Sequence, residues 1–150
     1  MTTLNTFIWF DNAAEQAAEF YAATVPGSKI VEITRNSDGS AFIVTLELAG
    51  QAVTIMNGGP DHPLTDAISL QLVVDTQEEI DQLWAVLTEG GAPGPCGWLT
   101  DRYGLSWQIA PSAMPRLMNG EPEQALAVAM ALRSMSKIDV KVLQDAYDHA

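Results

Sequence analysis

The chain has 150 residues, of which 47% are hydrophobic and 17% charged, a composition typical of one globular domain with a full core. Its 19 acidic and 7 scattered basic residues give a net charge of −12, which argues against nucleic acid or an anionic membrane as partner, because both need clustered Lys and Arg. A single cysteine excludes an internal disulfide, and without a signal peptide or an apolar run of about 20 residues we expect a cytoplasmic protein.

The first third of the chain reads as one strand, one helix and three further strands. Residues 6–10 are rich in aromatic and β-branched side chains, as strands are. Residues 13–23 carry an apolar stripe of helical period, with Asn12 as the predicted N-cap. Alternating patterns predict strands over residues 29–34, 41–48 and 52–57. The element order is βαβββ.

The same order begins again after a loop. Residues 68–74 predict a strand and residues 76–88 a helix, and a β-hairpin follows, with strands over 98–100 and 105–109. Asp101 can start its turn by accepting hydrogen bonds from nearby backbone amides, and Gly104 can take the positive φ that closes it.

The two element series align at an offset of about 63 residues, as an internal repeat does. We therefore predict an α+β fold with two βαβββ modules, at about 5–58 and 67–110, that form a curved mixed sheet around a cavity. The modules occupy residues 1–111, and residues 112–150 form a helical tail of the same domain. Pro122 suits the start of one tail helix, and Asp139 can cap the last.

Several stretches resemble a known family. They are TFIWFD at 6–11, FY at 20–21, NGGP at 57–60, PCGWLTDRYGLSWQI at 95–109 and MSKIDVKVLQDAY at 135–147. The chain resembles the PhnB-like branch of the vicinal-oxygen-chelate (glyoxalase/bleomycin-resistance/dioxygenase) superfamily, and within it the group labelled 3-demethylubiquinone-9 3-methyltransferase domains. The resemblance covers nearly the whole chain. It implies paired βαβββ modules, usually in a homodimer, with a ligand or metal inside the curved sheet.

The resemblance also indicates where metal-using members hold their ion. Carried over residue by residue, those places fall on Thr6, near Asn57, on Ser69 and on Gln108. Hydroxyl and neutral amide groups are weak ligands, since zinc, nickel and iron sites use imidazole, carboxylate or thiolate. We therefore predict no metal site and no cofactor.

Uncharged polar side chains at these places would instead line a cavity suited to a small, largely apolar ligand. The predicted ligand-binding residues are Thr6, Phe10, Asn57, Ser69, Gln71, Trp98, Ser106 and Gln108. The alternative is that the polar groups hydrogen-bond one another and hold nothing. Trp9 lies on the opposite strand face from Thr6, so we expect it to pack under the helix.

Three residues are candidates for catalysis: Asp11 after the first strand, Cys96 in a Gly/Pro-rich loop, and Arg102 in the hairpin turn. For Cys96 the alternative is a buried, inert thiol. For Asp11 and Arg102 it is a pair of solvated surface charges.

These observations predict a metal-free protein that binds a small organic molecule and forms a homodimer. The first alternative is an enzyme of unknown reaction that uses Asp11, Cys96 or Arg102. The second is the methyl transfer that the family label names. No motif supports a site for S-adenosylmethionine, since the chain lacks a glycine-rich turn between a strand and a helix.

Overall fold

Each half of the chain builds one four-stranded sheet with a helix on one face. The computed structural model describes residues 1–150 and divides into two compact units, Met1–Leu64 and Thr65–Ala150.

The first unit consists of one helix and four strands. Its elements are β1 (Thr6–Phe10), α1 (Ala14–Thr24), β2 (Lys29–Arg35), β3 (Ala41–Leu48) and β4 (Gln51–Asn57). The strand order is β1-β4-β3-β2, in which β1 runs parallel to β4 and the other pairs are antiparallel. A parallel first strand requires a crossover, and α1 supplies it.

Helix α1 covers one face of this sheet. Small side chains on its inner side, with Tyr21, are fully buried. Ile8, Val44 and Ile55 form one row of the sheet by register and are 7% exposed or less, so they belong to the covered face. The other face of the first sheet carries Phe7, which is 56% exposed.

The start of α1 differs from the prediction. Ala13 is the N-cap residue and offers no capping side chain, and Asn12 does not cap the helix. Instead, Oδ1 of Asn57 accepts a hydrogen bond from the backbone N of Ala14 at 2.8 Å. The amide nitrogen of Asn57 donates to the carbonyl of Ala41 at 3.0 Å. The prediction was wrong because the cap comes from a strand end 43 residues away in sequence.

The second unit repeats this architecture. Its sheet elements are β5 (Leu70–Val74), α2 (Gln77–Thr88), β6 (Ala92–Pro93), β7 (Trp98–Thr100) and β8 (Ser106–Pro111). The order β5-β8-β7-β6, with β5 parallel to β8, matches the first sheet position by position. The predicted α+β fold of two βαβββ modules is confirmed, although the two-residue β6 was not predicted.

A capping box starts α2, because Thr76 accepts from the backbone of Glu79 while the Glu79 carboxylate accepts from the backbone of Thr76. The helix buries Ile80, Leu83 and Leu87.

Three helices follow the second sheet within the same unit. They are α3 (Met114–Met118), α4 (Pro122–Arg133) and α5 (Val140–Asp148). Pro122 begins α4, and the Asp139 carboxylate caps α5 by accepting from Val142 N at 3.1 Å, so both predicted starts are confirmed. None of the helices has the length and apolar character needed to cross a membrane.

Candidate functional site

One carboxylate organises the turn between β7 and β8. Asp101 is 2% exposed and accepts hydrogen bonds from the backbone N of Tyr103 at 2.8 Å and of Leu105 at 3.1 Å. Its second oxygen accepts from the indole Nε1 of Trp107 at 2.8 Å. Gly104 has a φ of +87°, so the predicted turn is confirmed in both of its key residues. The turn sets the register that brings β7 against β8.

That register separates the two faces of the second sheet. Leu99 pairs with Trp107, and both are buried on the face that α2 covers. Trp98 pairs with Gln108 and Thr100 with Ser106, so these four side chains lie on the other face. We call this the open face of the second sheet, and it comprises Gln71, Val73, Trp98, Thr100, Ser106 and Gln108.

A pocket of about 400 Å³ lies at one end of the open face. The loop between β6 and β7 forms its outer wall. Its lining includes Asp66, Gly94, Cys96, Trp98, Thr100 and Ser106. Two predicted ligand-binding residues and one predicted catalytic candidate thus meet in one pocket. None of its lining residues is basic.

Gln108 of the open face is hydrogen-bonded to Ser69, the residue that directly precedes β5. Gln108 Nε2 donates to Ser69 Oγ at 2.9 Å, which matches the alternative in which these polar groups hydrogen-bond one another. Gln71 lies beside Gln108 by register and is exposed. The role of these three residues toward a ligand stays a prediction.

Sequence reasoning missed Thr100 and Asp66 as pocket residues. A signal existed for Thr100, because pairing across the predicted turn places it opposite Ser106. Asp66 precedes the second module in a segment without periodic pattern, so no signal pointed to it.

The remaining predicted ligand-binding residues belong to the first sheet. Phe10 is 4% exposed on the face that α1 covers, and Thr6 lies on the same face, where it accepts from Gln51 at 3.2 Å. Asn57 uses its amide to cap α1. Their ligand role also stays a prediction.

Trp9 lies on the uncovered face of the first sheet, so the expectation that it packs under α1 is wrong. Its indole Nε1 donates to the carbonyl of Gly59 at 2.9 Å, and its ring stacks on His62 with centroids 4.1 Å apart. A Cβ on Gly58 would lie 2.3 Å from the indole, which explains the glycine there. Asp11 lines a depression of about 570 Å³ with the loop residues that follow, 59–63.

Arg102 is held at the end of α2. Its guanidinium lies 3.5 Å from the Glu89 carboxylate and donates to the Glu89 carbonyl at 3.2 Å. These contacts join the hairpin turn to the helix, and Arg102 does not line the pocket.

An ion pair links α2 to the segment before α5. Lys137 Nζ lies 2.6 Å from the Asp81 carboxylate. Its hydrogen bond holds the pKa of Asp81 below the usual range, and a second hydrogen bond from Gln77 acts in the same direction.

The residues present do not fit a divalent metal. The places to which the resemblance points carry only hydroxyl and amide groups, and several of these are already hydrogen-bonded within their own unit. No group of three or more His, Cys, Asp or Glu side chains is arranged to hold an ion. Such donors do not offset the desolvation of zinc, nickel or iron.

Comparison with known proteins gives one consistent result. The sequence profile of the 3-demethylubiquinone-9 3-methyltransferase family matches residues 2–110. A PhnB protein from Bacillus cereus is 31% identical, with a TM-score of 0.67 over 74% of this chain and 100% of its own. No curated protein matches the chain.

More distant structures share the fold alone. A protein from Pseudomonas aeruginosa is 17% identical, with a TM-score of 0.63 over 74% of this chain and 98% of its own. The fosfomycin resistance protein FosX from Listeria monocytogenes, solved with Mn(II) and sulfate, is 15% identical, with a TM-score of 0.56 over 78% and 98%.

Proposed function

The chain belongs to the 3-demethylubiquinone-9 3-methyltransferase (PhnB-like) family of the vicinal-oxygen-chelate superfamily, and we propose that it binds a small organic molecule in the pocket of its second unit without a metal ion. The pocket of about 400 Å³ carries this proposal, because it has the size of small-molecule sites and gathers predicted residues.

The lining determines which ligands fit. The Trp98 indole offers a flat apolar surface, and the hydroxyls of Thr100 and Ser106 offer hydrogen bonds. Asp66 is the charged residue of the lining, and the chain has a net charge of −12. An anionic ligand would meet repulsion without a compensating cation. The ligand is therefore a neutral or cationic molecule with a flat apolar part.

Binding without a metal follows from the donor chemistry. Gln108 and Ser69 neutralise no charge, and they satisfy one another at 2.9 Å. Neither residue lines the pocket, so the hydrogen bonds that orient a ligand there come from the hydroxyls of Thr100 and Ser106.

The proposal includes a homodimer. The first strand of each module lies at the edge of its sheet, and these strands expose Phe7 at 56% and Val73 at 59%. Exposed apolar edge strands are sites of association with another chain. Sedimentation equilibrium should give twice the 16.2 kDa of one chain, and a mass of one chain across micromolar dilutions would contradict the dimer.

Saturation-transfer NMR with three sets of small aromatic compounds, neutral, cationic and anionic, tests the binding function. Thr100→Phe fills the pocket with a ring, and Thr45→Phe makes the same change on the first sheet as a control. We expect neutral or cationic compounds to bind the wild type and the control, and to lose binding in Thr100→Phe. Binding that survives Thr100→Phe, or binding of the anionic set alone, would refute the proposal.

A further inference from the structure

The outer wall of the pocket is hydrogen-bonded to the segment that joins α4 to α5. Backbone N of Cys96 donates to the carbonyl of Met135 at 2.9 Å, and backbone N of Gly97 donates to the carbonyl of Ser136 at 2.7 Å. The hydroxyl of Ser136 donates to the carbonyl of Gly94 at 2.5 Å. We call residues 135–140 the strap. These three hydrogen bonds join the strap to the stretch of loop, residues 94–97, that borders the pocket.

An apolar contact seals this junction. Ile138 of the strap is 1% exposed, and a Cβ on Gly97 would lie 2.7 Å from its Cδ1 atom. Gly97 also has a φ of +84°, so glycine meets both a steric and a backbone requirement. The absence of a side chain at Gly97 therefore lets Ile138 of the strap pack directly against the loop.

The strap is fastened at its other end to α2. Gln77 Nε2 donates to the carbonyl of Ile138 at 2.9 Å, and its Oε1 accepts from the backbone N of Val140 at 2.9 Å. Lys137 adds the ion pair with Asp81. One glutamine thus uses both ends of its amide to hold the strap.

The wall that the strap holds has an unfavourable backbone conformation. Cys96 has a φ of +59°, which non-glycine residues adopt at a cost and keep only where surrounding contacts hold them. Its amide is one of the two bonded to the strap. Release of the strap would therefore let Cys96 relax and change the wall of the pocket.

We propose that the strap, residues 135–140, is a positioning element that holds the Gly94–Gly97 wall in its pocket-forming conformation, with Gln77 as its fastening. This inference rests on the proposed function for its relevance to a ligand. The strap lies outside residues 2–110, the part that matches the family profile. The pocket wall of this chain thus depends on a segment beyond the matched domain.

Gln77→Ala tests the proposal, with Gln82→Ala as matched control, because Gln82 lies on the same helix and bonds only Glu78 on the surface. Two readouts need no ligand: hydrogen exchange of peptides that cover residues 94–97, and the rate of Cys96 alkylation by iodoacetamide. We expect both to rise about fivefold or more in Gln77→Ala, as loss of a hydrogen-bonded fastening implies, and to stay unchanged in Gln82→Ala. Ser136→Ala, which removes the bond to Gly94, should act in the same direction.

Wild-type rates at residues 94–97 in both Gln77→Ala and Ser136→Ala would overturn the proposal. Binding of Nile red, a neutral flat dye, is measured on the same proteins. Weaker binding in Gln77→Ala and Ser136→Ala, with unchanged binding in Gln82→Ala, supports both the strap and the proposed function. Faster hydrogen exchange at residues 94–97 in Gln77→Ala, with no dye bound by the wild type or any variant, supports the role of the strap and counts against the proposed function. Failure of the strap proposal is therefore distinguishable from failure of the proposed function.

Discussion

The carboxylate of Asp101 accepts a 2.8 Å hydrogen bond from the indole of Trp107, and both residues are at most 2% exposed. The same carboxylate accepts two turn amides. One side chain therefore joins the turn to the core of the second unit. A buried carboxyl group is tolerated there because hydrogen-bond donors of the protein replace its water.

Asp101→Ala should lower the free energy of unfolding by about 2–4 kcal/mol, because it removes three buried hydrogen bonds, one with the Trp107 indole and two with backbone amides of the turn. Urea denaturation followed by circular dichroism measures this. Asp148→Ala, which removes an exposed carboxylate that accepts from Gln144, should change it by less than about 0.5 kcal/mol. Equal effects of the two substitutions would contradict the role of Asp101.

Asn57→Ala should lower the free energy of unfolding by about 1–2 kcal/mol. The backbone N of Ala14 at the start of α1 loses its hydrogen-bond acceptor, and the carbonyl of Ala41 loses its donor. Asn36→Ala, in an exposed turn, serves as control and should cost less. An Asn57→Ala protein as stable as the wild type, by the same urea titration, would show that the cap contributes nothing.

Local patterns in the sequence predicted the second unit well. The Asp101–Gly104 turn and the capping of α5 by Asp139 depend on residues within a few positions of each other. Both can therefore be predicted from a short stretch of sequence. With the exception of β6, which was not predicted, the ends of the strands in both modules were predicted within one or two residues.

Long-range relations could not be read in this way. The alternating pattern of β1 correctly placed Trp9 and Phe10 on opposite faces of the sheet. It does not show which face a helix covers, and the prediction put α1 over Trp9, whereas α1 covers the face of Phe10. The cap on α1 comes from Asn57, far along the chain. The strap was not predicted for the same reason, because Ser136 lies 42 residues from Gly94, and Ile138 lies 61 residues from Gln77.

Thr100→Val removes a hydroxyl from the pocket and keeps the shape of the side chain. We expect it to weaken binding of a compound found in the NMR screen by about fivefold, the value of one neutral hydrogen bond. Thr45→Val, the same change on the first sheet, should leave the affinity unchanged in isothermal titration. Equal affinities of the wild type, Thr100→Val and Thr45→Val for the compound would show that the Thr100 hydroxyl does not bind it.

Cys96→Ser tests whether the pocket thiol is a nucleophile or a wall residue. If the site only binds, the substituted protein keeps its affinity within about twofold, since the two side chains differ little in size. Chemical conversion of a bound compound by the wild type, lost in Cys96→Ser and detected by mass spectrometry of the products, would instead establish an enzyme.

The Asp81–Lys137 pair predicts a pH dependence of stability. The folded pKa of Asp81 is lowered, first by the Lys137 hydrogen bond, so its contribution is present above the unfolded pKa and disappears as the pH falls through the folded pKa. Wild type should therefore melt at a higher temperature than Asp81→Asn at pH 7, and the gap should begin to narrow near pH 4 and close as the pH falls through the lowered folded pKa of Asp81. A gap independent of pH would contradict this, and Asp148→Asn provides the control.

Native mass spectrometry tests the central claim most directly. Protein purified without chelator and incubated with a small-molecule extract is compared with its denatured mass, beside Thr100→Phe. We predict an added mass that matches an organic molecule and is absent in Thr100→Phe. An added mass that matches a metal ion, an organic mass that survives Thr100→Phe, or a bare chain in the wild type would contradict the account.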